Sequence, residues 1–297
     1  MRELSAPVRL GAFGVGLAVV LVGSLALGRT TGGAVAQAAP AAAAEEQHGS
    51  AGEQHGSTGE QHGSTGEQGA GGQEASTAVT GTSLSADGLR LDVPTTVLPA
   101  LTATTFAFRV LGEDGPVTEY DVEQAKRMHL VLVSRDLTRH AHVHPEMAAD
   151  GTWSTLLTLA PDSYRAVADF SVGGERRSLA VDLAVAGAFA PKPLPAVSTT
   201  AVVDDVRVEL DRDASTLTFT AFRGSTPVVP EPYLGARGHL VAFRAGDLAY
   251  AHVHPSGEDG AATSYEAELP GAGTYRLFLE LQVDGEVRAF PYTLEVS

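Results

Sequence analysis

One stretch of this chain occurs twice, and both copies place three histidines at the same intervals. The first copy runs from Met128-His129-Leu130-Val131-Leu132-Val133 to His142-Val143-His144-Pro145. The second runs from Gly238-His239-Leu240-Val241-Ala242-Phe243 to His252-Val253-His254-Pro255. The lone histidine precedes the His-Val-His-Pro run by 142 − 129 = 13 residues in the first copy and by 252 − 239 = 13 in the second. Apolar residues alternate on either side of a polar Ser134-Arg135-Asp136 or Ala245-Gly246-Asp247 segment, the pattern of a β-hairpin. A turn centred between Asp136 and Leu137 sets Val131 opposite His142, Val133 opposite His140 and His129 opposite His144. The same register sets His239 opposite His254, Val241 opposite His252 and Phe243 opposite Tyr250. Side chains in a strand alternate with period 2, so the three histidines of a copy share one face. Opposed Cβ atoms lie ~5 Å apart, close enough for three imidazoles to converge on an ion ~2.0–2.1 Å from each nitrogen.

The rest of the sequence repeats around these hairpins. Leu89-Arg90-Leu91-Asp92-Val93, Thr104 to Val110, Ser154 to Leu159, Tyr164 to Phe170 and Ser178 to Val185 are short and alternating. Their counterparts are Val206 to Leu210, Thr216 to Phe222, Ser264 to Leu269, Thr274 to Leu281 and Tyr292 to Val296. No segment of useful length has a helical period, although Val122 to Met128 has room for one helical turn. The fold class is therefore all-β, with two tandem antiparallel β-sandwich domains of immunoglobulin-like or cupredoxin-like type. They span residues 79–187 and 198–297, and a Pro-rich hinge at 188–197 is expected to hold them at a set spacing.

Ahead of the sandwiches, Arg2 and Arg9 lead into an apolar span at residues 10–28 without a charge. Residues 1–36 form either a signal peptide cleaved near Ala34-Val35-Ala36 or a retained N-terminal membrane helix. Both outcomes place the remainder outside the cytoplasm. Residues 37–78 form a disordered linker rich in His, Gly and Gln, where Glu-Gln-His-Gly-Ser recurs around His48, His55 and His62. Those histidines are a weak metal-collecting tether or incidental to an expanded repeat.

The chain has no cysteine, so thiolate metal sites, disulfides and blue-copper chemistry are excluded. Its formal net charge of −16 argues against nucleic acid as a partner. Gly-x-Ser-x-Gly, His-Glu-x-x-His and phosphate-cradling loops are absent, and the chain is not expected to be an enzyme.

The candidate metal ligands are His129, His142 and His144 in the first copy and His239, His252 and His254 in the second. An imidazole set of this kind suits copper(II) or zinc. The alternative is histidines that stack across the hairpins and bond to nearby backbone, in an envelope interaction or adhesion module with a protein partner. A third reading, a pH-responsive module, follows from clustered imidazoles titrating near pH ~6.5. His140 is an auxiliary candidate, replaced by Tyr250 in the second copy. Asp169 and Glu280 hold matching positions as a further ligand, a carboxylate orienting a histidine, or exposed acids on a sandwich face.

Lys126-Arg127-Met128-His129 through Leu137, His142-Val143-His144-Pro145-Glu146, Asp150-Gly151-Thr152-Trp153 and Tyr164 to Phe170 carry a family resemblance. They look like exported actinobacterial proteins labelled heavy-metal-binding or heavy-metal-associated, loosely similar to YtkA-like β-sandwiches. The resemblance covers residues 1–20 and 85–297 and is most specific in 126–170. It implies a secreted or membrane-attached protein with a metal role, which in a chain without cysteine rests on its histidines.

Overall fold

The computed structural model describes residues 80–297, apart from His254 and the side chain of His252. The expectations for the leader, for the linker and for His48, His55 and His62 fall outside the described residues. The described residues belong to one compact unit, all β, and among them no helix is long and apolar enough to cross a membrane.

Seven principal strands build the first sandwich: β1 (Leu89–Asp92), β2 (Thr104–Gly112), β3 (His129–Ser134), β4 (His140–Val143), β5 (Trp153–Leu157), β6 (Asp162–Val172) and β7 (Glu175–Val185). Seven more build the second: β8 (Val206–Asp213), β9 (Thr216–Arg223), β10 (His239–Arg244), β11 (Tyr250–Val253), β12 (Ala262–Glu266), β13 (Gly273–Val283) and β14 (Glu286–Val296). In the first, one sheet runs β1-β2-β5 and continues to the short strand Glu146–Met147, while the other runs β7-β6-β3-β4. The second repeats this as β8-β9-β12, ending on Pro255–Asp259, and β14-β13-β10-β11. This is the immunoglobulin order, with the β3–β4 and β10–β11 hairpins at the edge where a variable-type domain carries its extra strand. Tyr164, near the start of β6, donates to the Ala160 carbonyl at 3.1 Å, and Tyr275 donates to the Gly271 carbonyl at 2.8 Å. Both are the corner tyrosines of such sandwiches.

Each sandwich encloses its own core. Leu91, Phe106, Phe108 and Trp153 from one sheet meet Leu130, Leu132, Tyr164 and Phe170 from the other. Val208, Phe219 and Tyr265 meet Leu240, Leu277, Tyr275 and Tyr292 in the second. An antiparallel sheet normally leaves its outer face to water. Here every residue of β3 is buried, and so are the first five of β10. The reason is a third apolar cluster: Val131, Val133, Leu137 and Val167 pack against Val241, Phe243, Leu248, Tyr250 and Phe278. The two histidine-bearing sheets are thus pressed face to face, and the hinge contributes Leu194 to the contact. The sandwiches touch, because the apolar outer faces bury each other. Gly81 makes the close approach possible, since a Cβ there would stand 2.5 Å from the Tyr250 Cβ.

Candidate metal centre

The β3–β4 hairpin has the register read from the sequence, with Leu130 opposite Val143, Val131 opposite His142 and Val133 opposite His140. Leu130 and Leu132 turn into the first core, so His129, Val131 and Val133 turn outward, toward the second sandwich. His144, just past β4, joins them. Ring centres lie 5.3 Å apart for His129 and His142, 4.9 Å for His129 and His144, and 4.7 Å for His142 and His144. One ring nitrogen from each lies within 4.8 Å of those of the other two.

The hydrogen-bond partners decide which nitrogens carry protons. His129 Nε2 lies 3.1 Å from the Glu123 carbonyl oxygen, which only accepts, so the proton sits on Nε2 and Nδ1 bears a lone pair. His142 Nδ1 lies 2.8 Å from Glu280 Oε2, so it donates there, and in the neutral ring Nε2 bears the lone pair. Yet His129 Nδ1 and His142 Nε2 face each other at 3.1 Å. Two lone pairs at that separation repel unless positive charge lies between them. That charge is either a proton shared by the two rings, making one of them an imidazolium, or a cation. His144 Nε2 is buried beside them without a hydrogen-bond partner.

Burial and company hold neighbouring imidazoles neutral. Loss of solvent lowers the His144 pKa to about 2, helped by His142, His129, Lys126 and His239. Burial also lowers His140 to about 4, against the pull of Glu280 and with a smaller push from His142. Burial works to raise Glu280, but the His142 hydrogen bond and the charges of His142, His140 and His239 leave it below its usual value. Neutral imidazole is the form that binds metal.

His140 stacks on Phe278 at 4.4 Å between ring centres and 9° between planes, with Nδ1 4.0 Å from Glu280 Oε1. The unfolded ring binds a proton near pH 6.5 and the folded one only near pH 4. Stability of the metal-free protein is therefore full above about pH 6.5 and falls as pH drops toward 4, by up to about 1.4 kcal/mol per unit for this ring. Urea midpoints at pH 7 and pH 5 measure the fall, and His140→Phe is expected to make it shallower. An unchanged slope in that variant would remove His140 as its source.

In the second copy, β10 and β11 pair Val241 with His252 and Phe243 with Tyr250. The His252 ring and His254 lie outside the described residues. His239 sits at the same interface, its ring 6.3 Å from that of His129 and 6.0 Å from that of His142. Its Nε2 donates to the Tyr233 carbonyl at 3.0 Å, and its Nδ1 faces the Gln124 side-chain amide at 2.7 Å.

Asp169 and Glu280 do hold equivalent positions, paired with His129 and His239 on the adjacent strands. Neither is an exposed acid: Asp169 is 2% and Glu280 8% exposed, because the opposite sandwich covers them. Their partners are exchanged across the interface. Glu280 bonds His142 of the first sandwich, and Asp169 accepts from Tyr250 of the second at 3.3 Å and from Ser178 at 2.9 Å. His140 and Tyr250 are themselves equivalent hairpin positions, so the two halves meet about an approximate two-fold relation.

Sequence reasoning missed Glu123 and Gln124. The segment expected to hold a helical turn is instead a tight turn closed by Glu123 and Lys126, with positive φ at Gln124 (46°) and Ala125 (60°). Tyr233–Ala236 forms its counterpart, with positive φ at Leu234 and Gly235. The available signal was spacing: the accepting carbonyl lies 129 − 123 = 6 and 239 − 233 = 6 residues before each lone histidine.

Comparison with known proteins follows this duplication. Residues 84–187 and 201–297 each match a family described as a domain of unknown function, DUF8832. None of the curated proteins compared with the chain matches it significantly. Similar solved structures include a Salmonella alpha-2-macroglobulin (10% identity, TM-score 0.27), of which the match covers 75% of this chain and 15% of that one. The Escherichia coli adhesin FdeC (16%, TM-score 0.26) is matched over 72% of this chain and 66% of its own. A two-domain fibronectin type III segment of chicken tenascin (13%, TM-score 0.22) is matched over 69% and 97%.

Proposed function

We propose, for a chain that belongs to the DUF8832 family and carries its domain twice, that the first hairpin binds a divalent transition metal. The ligands are His129 through Nδ1, His142 through Nε2, and His144. One observation carries this reading: His129 Nδ1 and His142 Nε2 face each other at 3.1 Å, while the Glu123 carbonyl and the Glu280 carboxylate behind them engage the other nitrogen of each ring. Two nitrogens on a tetrahedral ion with ~2.0–2.1 Å bonds lie roughly 3.4 Å apart, so little movement is required. The Glu123 carbonyl and the Glu280 carboxylate act as positioning groups that fix ring orientation and tautomer, as partners of metal-bound histidines commonly do.

An all-nitrogen set without thiolate favours copper(II), with zinc the next candidate. The role is buffering or delivery of the ion rather than catalysis. The basic and apolar leader of residues 1–36 supports a role outside the cytoplasm, with the protein secreted or held by its N-terminal span. His239, His252 and His254 of the second copy are proposed as further imidazole ligands supplied by that sandwich, and His48, His55 and His62 as low-affinity collectors.

The competing reading is a non-catalytic envelope interaction module. It keeps the 3.1 Å contact as a hydrogen bond from a protonated His142, whose charge Glu280 balances. Titration of the full chain with copper(II) or zinc against a competing chelator separates the two. A tight site that disappears in His129→Ala/His144→Ala supports the metal. Binding unchanged in that variant favours the structural histidines.

A further inference from the structure

We infer that His239 of the second sandwich is a fourth ligand of the same centre, so that one ion is held by both sandwiches. This deepens the metal reading above and rests on it.

His239 is prepared in the same way as His129. Each lone histidine gives its Nε2 proton to a tight-turn carbonyl, Tyr233 at 3.0 Å and Glu123 at 3.1 Å, and each keeps Nδ1 for the interface. The His239 ring is already within the cluster, 6.0 Å from His142 and 6.3 Å from His129 between centres. The three rings of the first copy lie 4.7–5.3 Å apart on the same measure. Four imidazoles bound to one ion through ~2.0–2.1 Å bonds have ring centres roughly 5 Å apart, so a shift of about 1 Å brings His239 in.

The group now at His239 Nδ1 is the Gln124 side chain, whose Oε1 is placed 2.7 Å away. With the ring proton fixed on Nε2, only the amide NH2 can satisfy that lone pair, so the amide is turned with its nitrogen toward the ring. Gln124 is thus a neutral stand-in that yields the lone pair to a stronger Lewis acid. It has no counterpart in the second copy, where Leu234 holds its place in the turn. A shallow cleft lined by Glu123, Gln124, Gly235, Ala236, Pro255 and Glu258 adjoins the Gln124 side chain.

The test is electron paramagnetic resonance of the full chain with one equivalent of copper(II), counting coordinated imidazole nitrogens by their hyperfine coupling. His142→Ala supplies the background from other histidines. The wild-type centre is expected to show four imidazoles, and His239→Gln three, with copper affinity lower by about 10–100-fold. Gln124→Ala is expected to keep four and to bind at least as tightly. Three imidazoles in the wild type, or His239→Gln with unchanged affinity, overturns the inference while leaving the three-histidine centre standing. A wild-type spectrum identical to the His142→Ala background overturns both. The wild-type count decides even where His239→Gln does not fold.

Discussion

His142→Ala is expected to weaken copper(II) binding by on the order of 100-fold or more, because an inner ligand is lost where even a supporting partner costs 10–100-fold. The same change is expected to destabilise the metal-free protein by about 2–3 kcal/mol, since it strands the buried Glu280 carboxylate. Glu280 Oε2 has His142 Nδ1 at 2.8 Å and His140 Nδ1 at 4.0 Å from Oε1, and the residue is 8% exposed. Removing one member of such a pair is costly even where the intact pair adds little net stability. The double variant His142→Ala/Glu280→Gln therefore recovers part of the stability while remaining unable to bind tightly. Denaturant unfolding and a chelator competition measure the two effects separately. A stability change below about 0.5 kcal/mol, with Glu280 left buried, would contradict the role of that pair.

Phe278→Ala is expected to cost about 3–5 kcal/mol, the range for removing a large buried aromatic side chain. Phe278 is 3% exposed, belongs to the cluster between the sandwiches and carries the stacked His140 ring. The cavity would open at the joint rather than in either core, so the expected unfolding changes from one transition to two as the sandwiches uncouple. Copper affinity is expected to fall as well, because the two sandwiches that bring Glu280 to His142 no longer meet in one fixed arrangement. A single transition with less than about 1 kcal/mol of loss would mean that the apolar joint does not couple the halves.

Much of this arrangement was legible because hairpins obey strict periodicity. The two polar turn segments and the alternating residues around them gave the register that pairs Val131 with His142 and Val241 with His252. Recurrence of the whole strand pattern gave two sandwiches rather than one. The pairing of the sandwiches was harder to read, since pattern alone says which residues are apolar and not what covers them. A signal existed nonetheless. In Leu130-Val131-Leu132-Val133 and in Ala166-Val167-Ala168 both alternating faces are apolar, which fits a sheet covered on both sides. Asp169 and Glu280 looked like surface acids because a carboxylate on an outer face normally meets water. They are buried because each reaches a partner on the other sandwich, a relation that sequence spacing within one copy does not contain. Gln124 escaped for the opposite reason: it interrupts the repeat, and inference from duplication passes over what occurs once.

Copper-edge anomalous diffraction from crystals grown with one equivalent of copper(II) tests the centre most directly. A single strong peak is expected, bonded to His129 Nδ1, His142 Nε2 and His144 at ~2.0–2.1 Å, between the two sandwiches. Crystals with copper bound elsewhere, and with His129 Nδ1 and His142 Nε2 still joined directly at about 3.1 Å, would contradict it.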